Sequence, residues 1–577
     1  MKQFMLAILV ICLISLSTII EAQNSSRLSL DSLFNDKGEV YFKFSIQNRD
    51  DIHMLTQVIS IDNVRGSEVF AYANRKEFTE FLLLNLTFTI LPNPGTLLSE
   101  FELNPFSAND LPKDRTQWNF YPSYQQYIDY MVGFALANPG ICRLDTVGIS
   151  TQGRLILAVK ISDNVGREEA EPQFLYTSTM HGDETTGYVL MLHLIDYLLS
   201  NYGLDTTVTR LVNSTEIFIN PLANPDGTYH GGNNSVYGAT RYNANYIDLN
   251  RNFPDPKTGQ HPDGNPWQAE TEAWMTYAGN NHFSMSANFH GGAEVFNFPW
   301  DTWYKLNADD NWWHFIGREW ADTVHKNGIP GYFTFLDNGI TNGYAWYEVN
   351  GGRQDYMNYW HQCREATVEI SDVKLLPASQ LISFWNYNYH SFLNYIEQSN
   401  FGFNGIISDT VTGEPIVAKV FIPLLDKDNS EVYSRLPSGF YARPIFEGLY
   451  NVTFWAPGYY TKTIENVSIS KWTTTNLDIK LRPLAYDVRD KVTRAKLVYP
   501  NPSDGHFRLI LPENAIVTPC SFQVINTMGS VVYSAEINIM TGSSTIDLDI
   551  SNLPGGLYLL KFISGDLTYS DKLIIKR

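Results

Sequence analysis

The stretch that decides the fold of this chain is PQFLYTSTMHGDETTGYVLMLHLIDYLLSNY, residues 172–202. It begins with a strand-like run from Pro172 to Met180, passes through the tetrad HGDE at residues 181–184 and continues into a helical pattern from Gly187 to Tyr202. A buried strand that leads directly into a helix is the repeating unit of α/β domains, whose sheets place functional residues at strand ends. The stretch therefore predicts an α/β domain with polar chemistry at the end of this strand.

The tetrad supplies His181 and Glu184, and a second His-Gly pair, His290-Gly291, follows 106 residues beyond Glu184. Two imidazoles and one carboxylate can bind one zinc ion and leave a fourth position for water, which is the ligand count of a catalytic site. Structural zinc sites are instead closed by four protein ligands and usually include cysteine. A His-x-x-Glu pattern alone often arises by chance, so the prediction of a zinc hydrolase depends on the motifs that follow.

The composition of the 577 residues excludes several classes of protein. A hydrophobic fraction of 44% with 14% aromatic residues is typical of well-packed domains and excludes a disordered chain. The formal net charge of -20 and the lack of Lys and Arg clusters argue against a nucleic-acid partner. We therefore expect several folded domains and no nucleic acid.

The N-terminus has the pattern of a secretory signal peptide, with Lys2, an apolar run from Phe4 to Leu16 and a cleavage site after Ala22. No other apolar run reaches about 18 residues, so we expect no transmembrane span and a secreted or surface-attached protein. Cys12 lies within the signal peptide. Three cysteines remain, Cys142, Cys363 and Cys520, and no two of them form a Cys-x-x-Cys pair. The sequence allows one disulfide, for example between Cys142 and Cys363.

Changes in residue pattern divide the chain into a signal peptide (1–22), an N-terminal domain (23–115), a catalytic domain (116–400), two β modules (401–484 and 497–577) and a linker (485–496). The N-terminal domain is predicted as an α+β sandwich in the order strand-helix-strand-strand-helix-strand. Strands alternate with long helices in the catalytic domain, which predicts a mixed central sheet flanked by helices on both faces. Short strands and turn signals predict two all-β sandwich modules at the C-terminal end.

Three further motifs accompany the metal residues: TRYNAN at 240–245, DLNRNFP at 248–254 and ATVEIS at 366–371. With them, the segment from about Gln117 to Gln398, half of the chain, resembles the zinc metallocarboxypeptidase family, in the branch related to carboxypeptidases N, E and D. The resemblance implies that His181, Glu184 and His290 bind one zinc ion. It also implies that the enzyme hydrolyses the last peptide bond of peptide or protein C-termini.

The resemblance assigns roles to five further residues. Glu369 matches the general base and acid, which takes a proton from water and passes it to the leaving amine. Arg241 matches the residue that stabilises the oxyanion. Asn250 and Arg251 match the pair that binds the terminal carboxylate, for which a guanidinium fork is well suited. Tyr347, in NGYAWY at 342–347, matches a mobile tyrosine that closes over the substrate.

Two positions bear on the choice of substrate. Asp301 lies eleven residues after His290, where the resembled branch has the aspartate that pairs with a C-terminal Arg or Lys. Gln354 matches the polar pocket position of the same branch, and together they predict a preference for basic ends. Arg353 stands beside Gln354 where the family commonly has methionine, and a charge in the pocket would oppose a basic substrate. Because neighbours on an extended segment point in opposite directions, we expect Arg353 to face away.

The remaining modules resemble accessory domains. Residues 401–484 resemble the transthyretin-like β-sandwich that follows the catalytic domain in the same branch, through GIISD at 405–409 and TGEPI at 412–416. The C-terminal portion resembles the sorting domain of the bacterial type nine secretion system, through YPNPSDG at 499–505, LPGGLY at 553–558 and KLIIKR at 572–577. It implies an interaction with the secretion machinery. The N-terminal domain has the element order of an inhibitory propeptide, which makes it a candidate mask of activity.

Two other functions remain open at this stage. A catalytically inactive cell-surface protein that binds peptides would normally lack a metal ligand or the general base. A cell-wall peptide amidase of the same fold would typically lose part of the carboxylate-binding pair. Both sets of residues are present in the sequence.

Overall fold

The structure is a computed structural model that describes residues 30–34, 37–105, 118–484, 498–510, 520–537, 545–564 and 567–577. It forms two compact units, Met1–Leu484 and Ala485–Arg577. The predicted signal peptide (1–22) and linker (485–496) lie outside the described residues. Among the helices that are described, none has both the length and the apolar character needed to cross a bilayer.

The N-terminal domain is one four-stranded sheet with helices on its connections. The order of its strands across the sheet is β2-β3-β1-β4. A short helix, Ile52–Leu55, lies between β1 and β2, so the observed order is the predicted strand-helix-strand-strand-helix-strand. The sequence pattern gave this order without locating the residues of β2. The Asn74 side chain begins helix α1 with a capping box that includes Glu77. The elements are β1 (Glu39–Ser45), β2 (Ser60–Arg65), β3 (Glu68–Asn74), α1 (Arg75–Leu82) and β4 (Phe88–Leu91).

The catalytic domain is built on an eight-stranded sheet in the order β11-β10-β12-β9-β7-β8-β6-β5. The central pairs β12/β9, β9/β7 and β7/β8 are parallel, whereas β5/β6, β6/β8 and β10/β12 are antiparallel. The predicted mixed sheet is therefore confirmed. Its strands are β5 (Cys142–Ile149), β6 (Leu155–Ile161), β7 (Gln173–Ser178), β8 (Glu216–Asn220), β9 (Phe283–His290), β10 (Ala293–Phe298), β11 (Ile340–Asn342) and β12 (Arg364–Ser371).

Helices cover both faces of this sheet, because alternate residues of the buried strands point to opposite sides. Phe174 and Tyr176 of β7 pack in one apolar cluster with α2, α3, α5 and α7, whereas Leu175 packs in another with α4 and α6. All six residues of β7 are buried, as expected for a central parallel strand. The longer helices are α2 (Tyr124–Ala137), α3 (Thr186–Asn201), α4 (Ala269–Asn280), α5 (Asp310–Asn327), α6 (Arg353–His361) and α7 (Leu381–Gln398), and shorter ones are Thr206–Val212, Pro225–Thr228, Phe335–Gly339 and Gly343–Trp346.

The suggested disulfide between Cys142 and Cys363 is wrong. Both cysteines and Cys520 are free and buried. Cys142 begins the edge strand β5, and Cys363 directly precedes β12, so four strands of the sheet separate the two positions. Because neighbouring strands are about 4.8 Å apart and a disulfide needs a Cα separation below about 7 Å, no bridge can form.

Residues 402–481 form two further four-stranded sheets, one with β16, β13, β19 and β20 and one in the order β15-β14-β17-β18. The turn after β13 is held by Asp409, whose side chain accepts the N–H groups of Val411 and Thr412. The strands are β13 (Gly402–Asp409), β14 (Lys419–Phe421), β15 (Val432–Tyr433), β16 (Phe440–Arg443), β17 (Gly448–Trp455), β18 (Lys462–Ile469), β19 (Thr474–Asn476) and β20 (Ile479–Leu481).

The described residues of the second unit form strands joined by turns. Its two sheets have the orders β21-β22-β25 and β24-β23-β26-β27. The strands are β21 (Val498–Tyr499), β22 (His506–Ile510), β23 (Cys520–Asn526), β24 (Val531–Ile537), β25 (Thr545–Asp549), β26 (Gly556–Ser564) and β27 (Leu567–Ile575).

Candidate active site

The three predicted metal ligands lie together at the carboxyl edge of the sheet. His181 and Glu184 follow β7, and His290 ends the adjacent parallel strand β9, so the topology brings distant residues to one place. The Nδ1 atoms of His181 and His290 are 3.0 Å apart. Glu184 Oε1 lies 3.0 Å from His181 Nδ1, and Glu184 Oε2 lies 2.8 Å from His290 Nδ1. All three side chains are buried.

This cluster fits a zinc ion. Ligand atoms about 2.0–2.1 Å from a tetrahedral zinc would be separated by about 3.3 Å, close to the spacing found here. The second ring nitrogen of His181 is 3.0 Å from Asp248 Oδ1, an outer partner of the kind that orients metal-binding imidazoles. A hydrogen-bonded carboxylate beside a ligating histidine is therefore already in place.

Glu369 lies on β12 directly beside the metal cluster. Its register partner on the parallel strand β9 is His290. The side chain is 8% exposed, and its Oε2 atom has no hydrogen-bond partner among the described residues. Burial, followed by the negative charge of Glu184, raises the pKa of Glu369 well above its usual range. A buried carboxyl group with a raised pKa beside a metal cluster is a candidate general base and acid.

Two predicted site arginines, Arg241 for the oxyanion and Arg251 for the terminal carboxylate, approach the cluster from the segment 241–251. Arg241 Nη1 is 3.1 Å from Glu184 Oε1, and its Nε is 3.2 Å from Asp248 Oδ2. Arg251 Nη1 donates to the carbonyl oxygen of Asn250 at 3.0 Å. Asn250 Oδ1 accepts the backbone N–H of Arg353 at 2.9 Å, which ties this segment to the start of α6.

One small cavity of about 20 Å³ connects these groups. That volume holds about one water molecule and no side chain. Of the ten predicted site residues, nine line the cavity, and Gln354 reaches it through a hydrogen bond from its Nε2 to Asp301 Oδ1 at 3.0 Å. The lining consists of Asp62, His181, Glu184, Arg241, Asn250, Arg251, His290, Asn297, Asp301, Gly343, Trp346, Tyr347, Val349, Thr367 and Glu369.

Asp301 lies three residues beyond the end of β10, whereas Glu369 pairs with Val295 near the start of that strand, so Asp301 lines the cavity at the end away from the metal cluster. Its Oδ1 accepts hydrogen bonds from the side-chain amides of Asn297 and Gln354, both at 3.0 Å. Burial raises the pKa of Asp301 to about 7. A Cβ atom at Gly343 would lie 1.7 Å from Asp301 Oδ1, so a side chain at that position would collide with the carboxylate.

Arg353 points away from Asp301, as expected, but not for the expected reason. It begins helix α6 and does not lie on an extended segment. Its guanidinium is 2.7 Å from Thr177 Oγ1 and 3.0 Å from Glu365 Oε2, and it lies 4.6 Å from the ring centre of Trp274. The buried charge is therefore neutralised outside the cavity and does not oppose a basic substrate.

The sequence interpretation missed a second set of residues in the site. Strand β2 of the N-terminal domain enters the cleft, where Arg251 Nη2 donates to the Ile61 carbonyl oxygen at 2.9 Å. Tyr347 donates to the Asp62 carbonyl oxygen at 3.2 Å, and the Asp62 carboxylate binds Arg241 and Lys374. Buried polar residues in β2 were the available signal, but nothing in the sequence indicates which surface they contact.

Comparisons with known proteins agree with this geometry. The model of the family "Zinc carboxypeptidase" matches residues 127–391, and that of the "Secretion system C-terminal sorting domain" matches residues 497–576. Carboxypeptidase D of Anas platyrhynchos is 33% identical over 490 residues, which are 79% of this chain and 35% of that protein. The chain therefore spans about a third of that relative's length.

Two other comparisons cover most of the compared protein. The carboxypeptidase N catalytic chain of Mus musculus is 31% identical over 382 residues, which cover 60% of this chain and 82% of that protein. The crystal structure of carboxypeptidase A from Helicoverpa armigera is 17% identical, with a TM-score of 0.51 over 62% of this chain and 96% of that chain, and it shows the shared fold. The sequence relatives and the matched domain establish that the chain belongs to the zinc carboxypeptidase family.

Proposed function

We propose that the protein is a secreted carboxypeptidase that binds one zinc ion and removes Arg or Lys from the C-terminal end of peptides. The observation that carries the proposal is the single cavity that joins the three metal-binding side chains and Glu369 to Arg251 and the buried Asp301. At one end, the metal-binding side chains and Glu369 can carry out hydrolysis. At the other end, the Asp301 carboxylate can pair with a basic side chain.

Each residue has a step that its position supports. When bound, zinc would polarise the scissile carbonyl and lower the pKa of a water molecule. Glu369 takes the proton of the attacking water and delivers it to the leaving amine, which its raised pKa favours. Arg241 donates to the oxygen that becomes negative. Asn250 and Arg251 bind the terminal carboxylate, and Tyr347 closes over the substrate.

The preference for Arg or Lys follows from the cost of leaving Asp301 without a partner. A basic side chain would form an ion pair with the buried carboxylate and favour its ionised form. An apolar side chain would leave the carboxyl group desolvated and its hydrogen-bonding capacity unfilled. The amides of Asn297 and Gln354 hold the carboxylate in place for this contact.

A panel of peptides that end in Arg, Lys, Leu, Phe or Glu, each assayed with and without a chelator, tests this proposal. We expect turnover of the Arg and Lys peptides only, and loss of that turnover when the chelator is present. Activity that is confined to apolar ends would contradict the role of Asp301. Activity that survives removal of the metal would contradict the zinc mechanism.

We further propose that the N-terminal domain masks this site in the uncut chain. Strand β2 occupies the donors that a substrate needs. The Ile61 carbonyl oxygen accepts from Arg251, the Asp62 carboxylate pairs with Arg241, and the Asp62 carbonyl oxygen accepts from Tyr347. The same domain also binds the segment that carries the tyrosine: Arg49 donates to the Ala345 carbonyl oxygen at 2.8 Å. A peptide therefore cannot reach the carboxylate-binding pair until this domain moves.

Cleavage between the two domains tests the mask. The sequence between residues 106 and 117 contains Lys113 and Arg115, which trypsin recognises. We expect the cut chain to hydrolyse an Arg-ended peptide faster than the uncut chain, with equal zinc content. If cutting at these positions leaves the rate unchanged, the mask proposal fails and the carboxypeptidase proposal does not.

The C-terminal unit supports a location outside the cytoplasm. Its match to a secretion sorting domain favours export by the bacterial type nine machinery, followed by release or attachment at the cell surface. Residues 401–484 are best interpreted as a transthyretin-like structural module. Deletion of residues 497–577 should leave the protein within the cell envelope, which fractionation of the cells would detect.

A further inference from the structure

Lys374 is a buried cation in the site that the mechanism above does not use. It lies three residues beyond the end of β12 and is 5% exposed. Its Nζ atom donates to Asp62 Oδ1 at 2.6 Å, to Glu184 Oε1 at 2.6 Å and to the Gly291 carbonyl oxygen at 3.1 Å. These three partners use all three protons of the ammonium group.

Two of these partners are permanent, and one leaves with the mask. Glu184 and Gly291 belong to the catalytic domain, whereas Asp62 belongs to strand β2 of the N-terminal domain. When the mask leaves, Lys374 keeps its contacts with Glu184 and Gly291, and the N–H group that donated to Asp62 needs a new acceptor.

The place of Asp62 Oδ1 shows where a substrate oxygen can bind. This one atom is 2.6 Å from Lys374 Nζ and 3.1 Å from Arg241 Nη1. Both cations also contact Glu184 Oε1, so the position borders the metal cluster. The carboxylate-binding arginine, Arg251, instead contacts Ile61. The oxygen that belongs beside the metal cluster is that of the scissile carbonyl and not that of the terminal carboxylate.

We propose that Lys374 is a catalytic residue that donates, together with Arg241, to the carbonyl oxygen of the scissile bond as this oxygen becomes negative. The inference rests on the proposed carboxypeptidase function. As water oxygen bonds to the carbonyl carbon, the π electron pair moves onto the carbonyl oxygen, and Glu369 takes the water proton. As the carbonyl re-forms, the C–N bond breaks and that proton passes to the leaving nitrogen. Lys374 remains an ammonium throughout and replaces its bond to Asp62 with one to the oxyanion.

The variant Lys374→Met tests the inference in the full chain after trypsin has cut at Lys113 or Arg115. Kinetics on an Arg-ended peptide are compared with the affinities of free arginine and of a phosphonate analogue of the transition state. Loss of one oxyanion donor costs about 100- to 1,000-fold in kcat, and Arg241 remains, so we expect about 100-fold. The phosphonate should bind about 100-fold more weakly, whereas the arginine affinity and the zinc content per chain should not change.

Two further variants separate catalysis from structure. Lys374→Arg keeps a cation and should recover at least tenfold of the loss in kcat. Lys305→Met removes a lysine that pairs with Asp428 outside the cavity, and it should leave kcat and phosphonate affinity unchanged.

Three results would overturn the inference. Wild-type kcat and phosphonate affinity in Lys374→Met would show that the ammonium does not touch the reacting oxygen. A fall in zinc content that matches the fall in kcat would make Lys374 a positioning residue for Glu184. If the cut wild-type chain releases no C-terminal residue, the proposed function itself fails, and the inference fails with it.

Discussion

The two ends of the cavity differ in which domain supplies their hydrogen-bond partners. At the metal end, both domains supply partners, because Arg241 and Lys374 bind Asp62 of the N-terminal domain as well as Glu184 of the catalytic domain. At the other end, Asp301 Oδ1 accepts from the side-chain amides of Asn297 and Gln354, and the Asp301 backbone N–H donates to Asp355, all within the catalytic domain. The proposed mask therefore contacts the groups assigned to the peptide backbone and its terminal charge, and it leaves free the groups assigned to the side chain.

Under the proposed function, this difference predicts that blocking of the site and choice of substrate are separable. A mask that occupied the Asp301 pocket would need a basic side chain, and this side chain would then be bound in the same way as that of a substrate. Strand β2 instead presents a carbonyl oxygen and a carboxylate to the arginines. Changes at either end should therefore affect either turnover or choice of substrate, and rarely both.

The largest effect is expected at the metal end, from Glu369→Gln in the cut chain. Loss of the proton acceptor should lower kcat by about 10⁴-fold, the upper end for general acid–base catalysis, while zinc content stays at the wild-type level. Turnover measured under saturating substrate, with metal analysis of the same sample, checks this. Glu397, on α7, forms an ion pair with Arg210 at the surface. The control Glu397→Gln removes this pair and should change neither kcat nor zinc content.

At the other end, Asp301→Asn should change the choice of substrate. Removing one partner of a buried ion pair costs about 3–5 kcal/mol, so kcat/KM for an Arg-ended peptide should fall by at least 100-fold. The same quantity for a Leu-ended peptide should fall much less. Equal losses for both peptides would mean that Asp301 supports the fold and does not select the side chain.

The contact between the domains is tested by Asp62→Asn in the uncut chain. Hydrogen bonds to charged groups contribute about 1.5–3 kcal/mol, so the weaker mask should raise the activity of the uncut chain about 10- to 100-fold. Asp51→Asn, an exposed change in the same domain, is the matched control. If the uncut Asp62→Asn chain is as inactive as the uncut wild type, the contact of Ile61 and the packing of the domain are sufficient to block the site.

A smaller effect concerns the pH at which the mask is released. Docking buries Glu39 and Glu77, and burial raises the pKa of each to about 7. Because the docked pKa is higher than that of an exposed glutamate, this contribution to docking is complete below about pH 4.3 and is lost as the pH rises through 7. We expect the cut domain to dissociate several-fold more readily at pH 8 than at pH 6, measured by size-exclusion chromatography. Glu77→Gln should flatten this dependence.

The catalytic domain could be predicted from the sequence because its signals are local. The run before His181 is buried on both faces, and the predicted zinc ligands lie at strand ends that the topology brings together. The roles of Asp301 and Gln354 came from the resemblance, and the structure places them in hydrogen-bond contact. Arg353 shows the limit of local patterns, since the segment after Gly352 is a helix where an extended segment was expected.

Contacts between domains could not be predicted in the same way. The peptide segment of β2 enters the site because a whole domain docks on the catalytic sheet, and no spacing in the sequence encodes that docking. Lys374 lies only five residues from Glu369, but its importance depends on Asp62, 312 positions earlier. The suggested Cys142–Cys363 bridge failed for the same reason, because the order of strands in the sheet sets their separation.

The bond between the Arg353 backbone and Asn250 has a consequence for which chain ends the protein can recognise. Since Asn250 Oδ1 accepts that N–H, the oxygen of the amide is turned towards α6, and its NH₂ group remains for the cavity. A free carboxylate then meets two donor groups, the NH₂ of Asn250 and the guanidinium of Arg251. A peptide whose end is amidated would bring its own N–H protons against these donors. Under the proposed carboxypeptidase function, amidated peptides should therefore not be cleaved, whatever their last side chain.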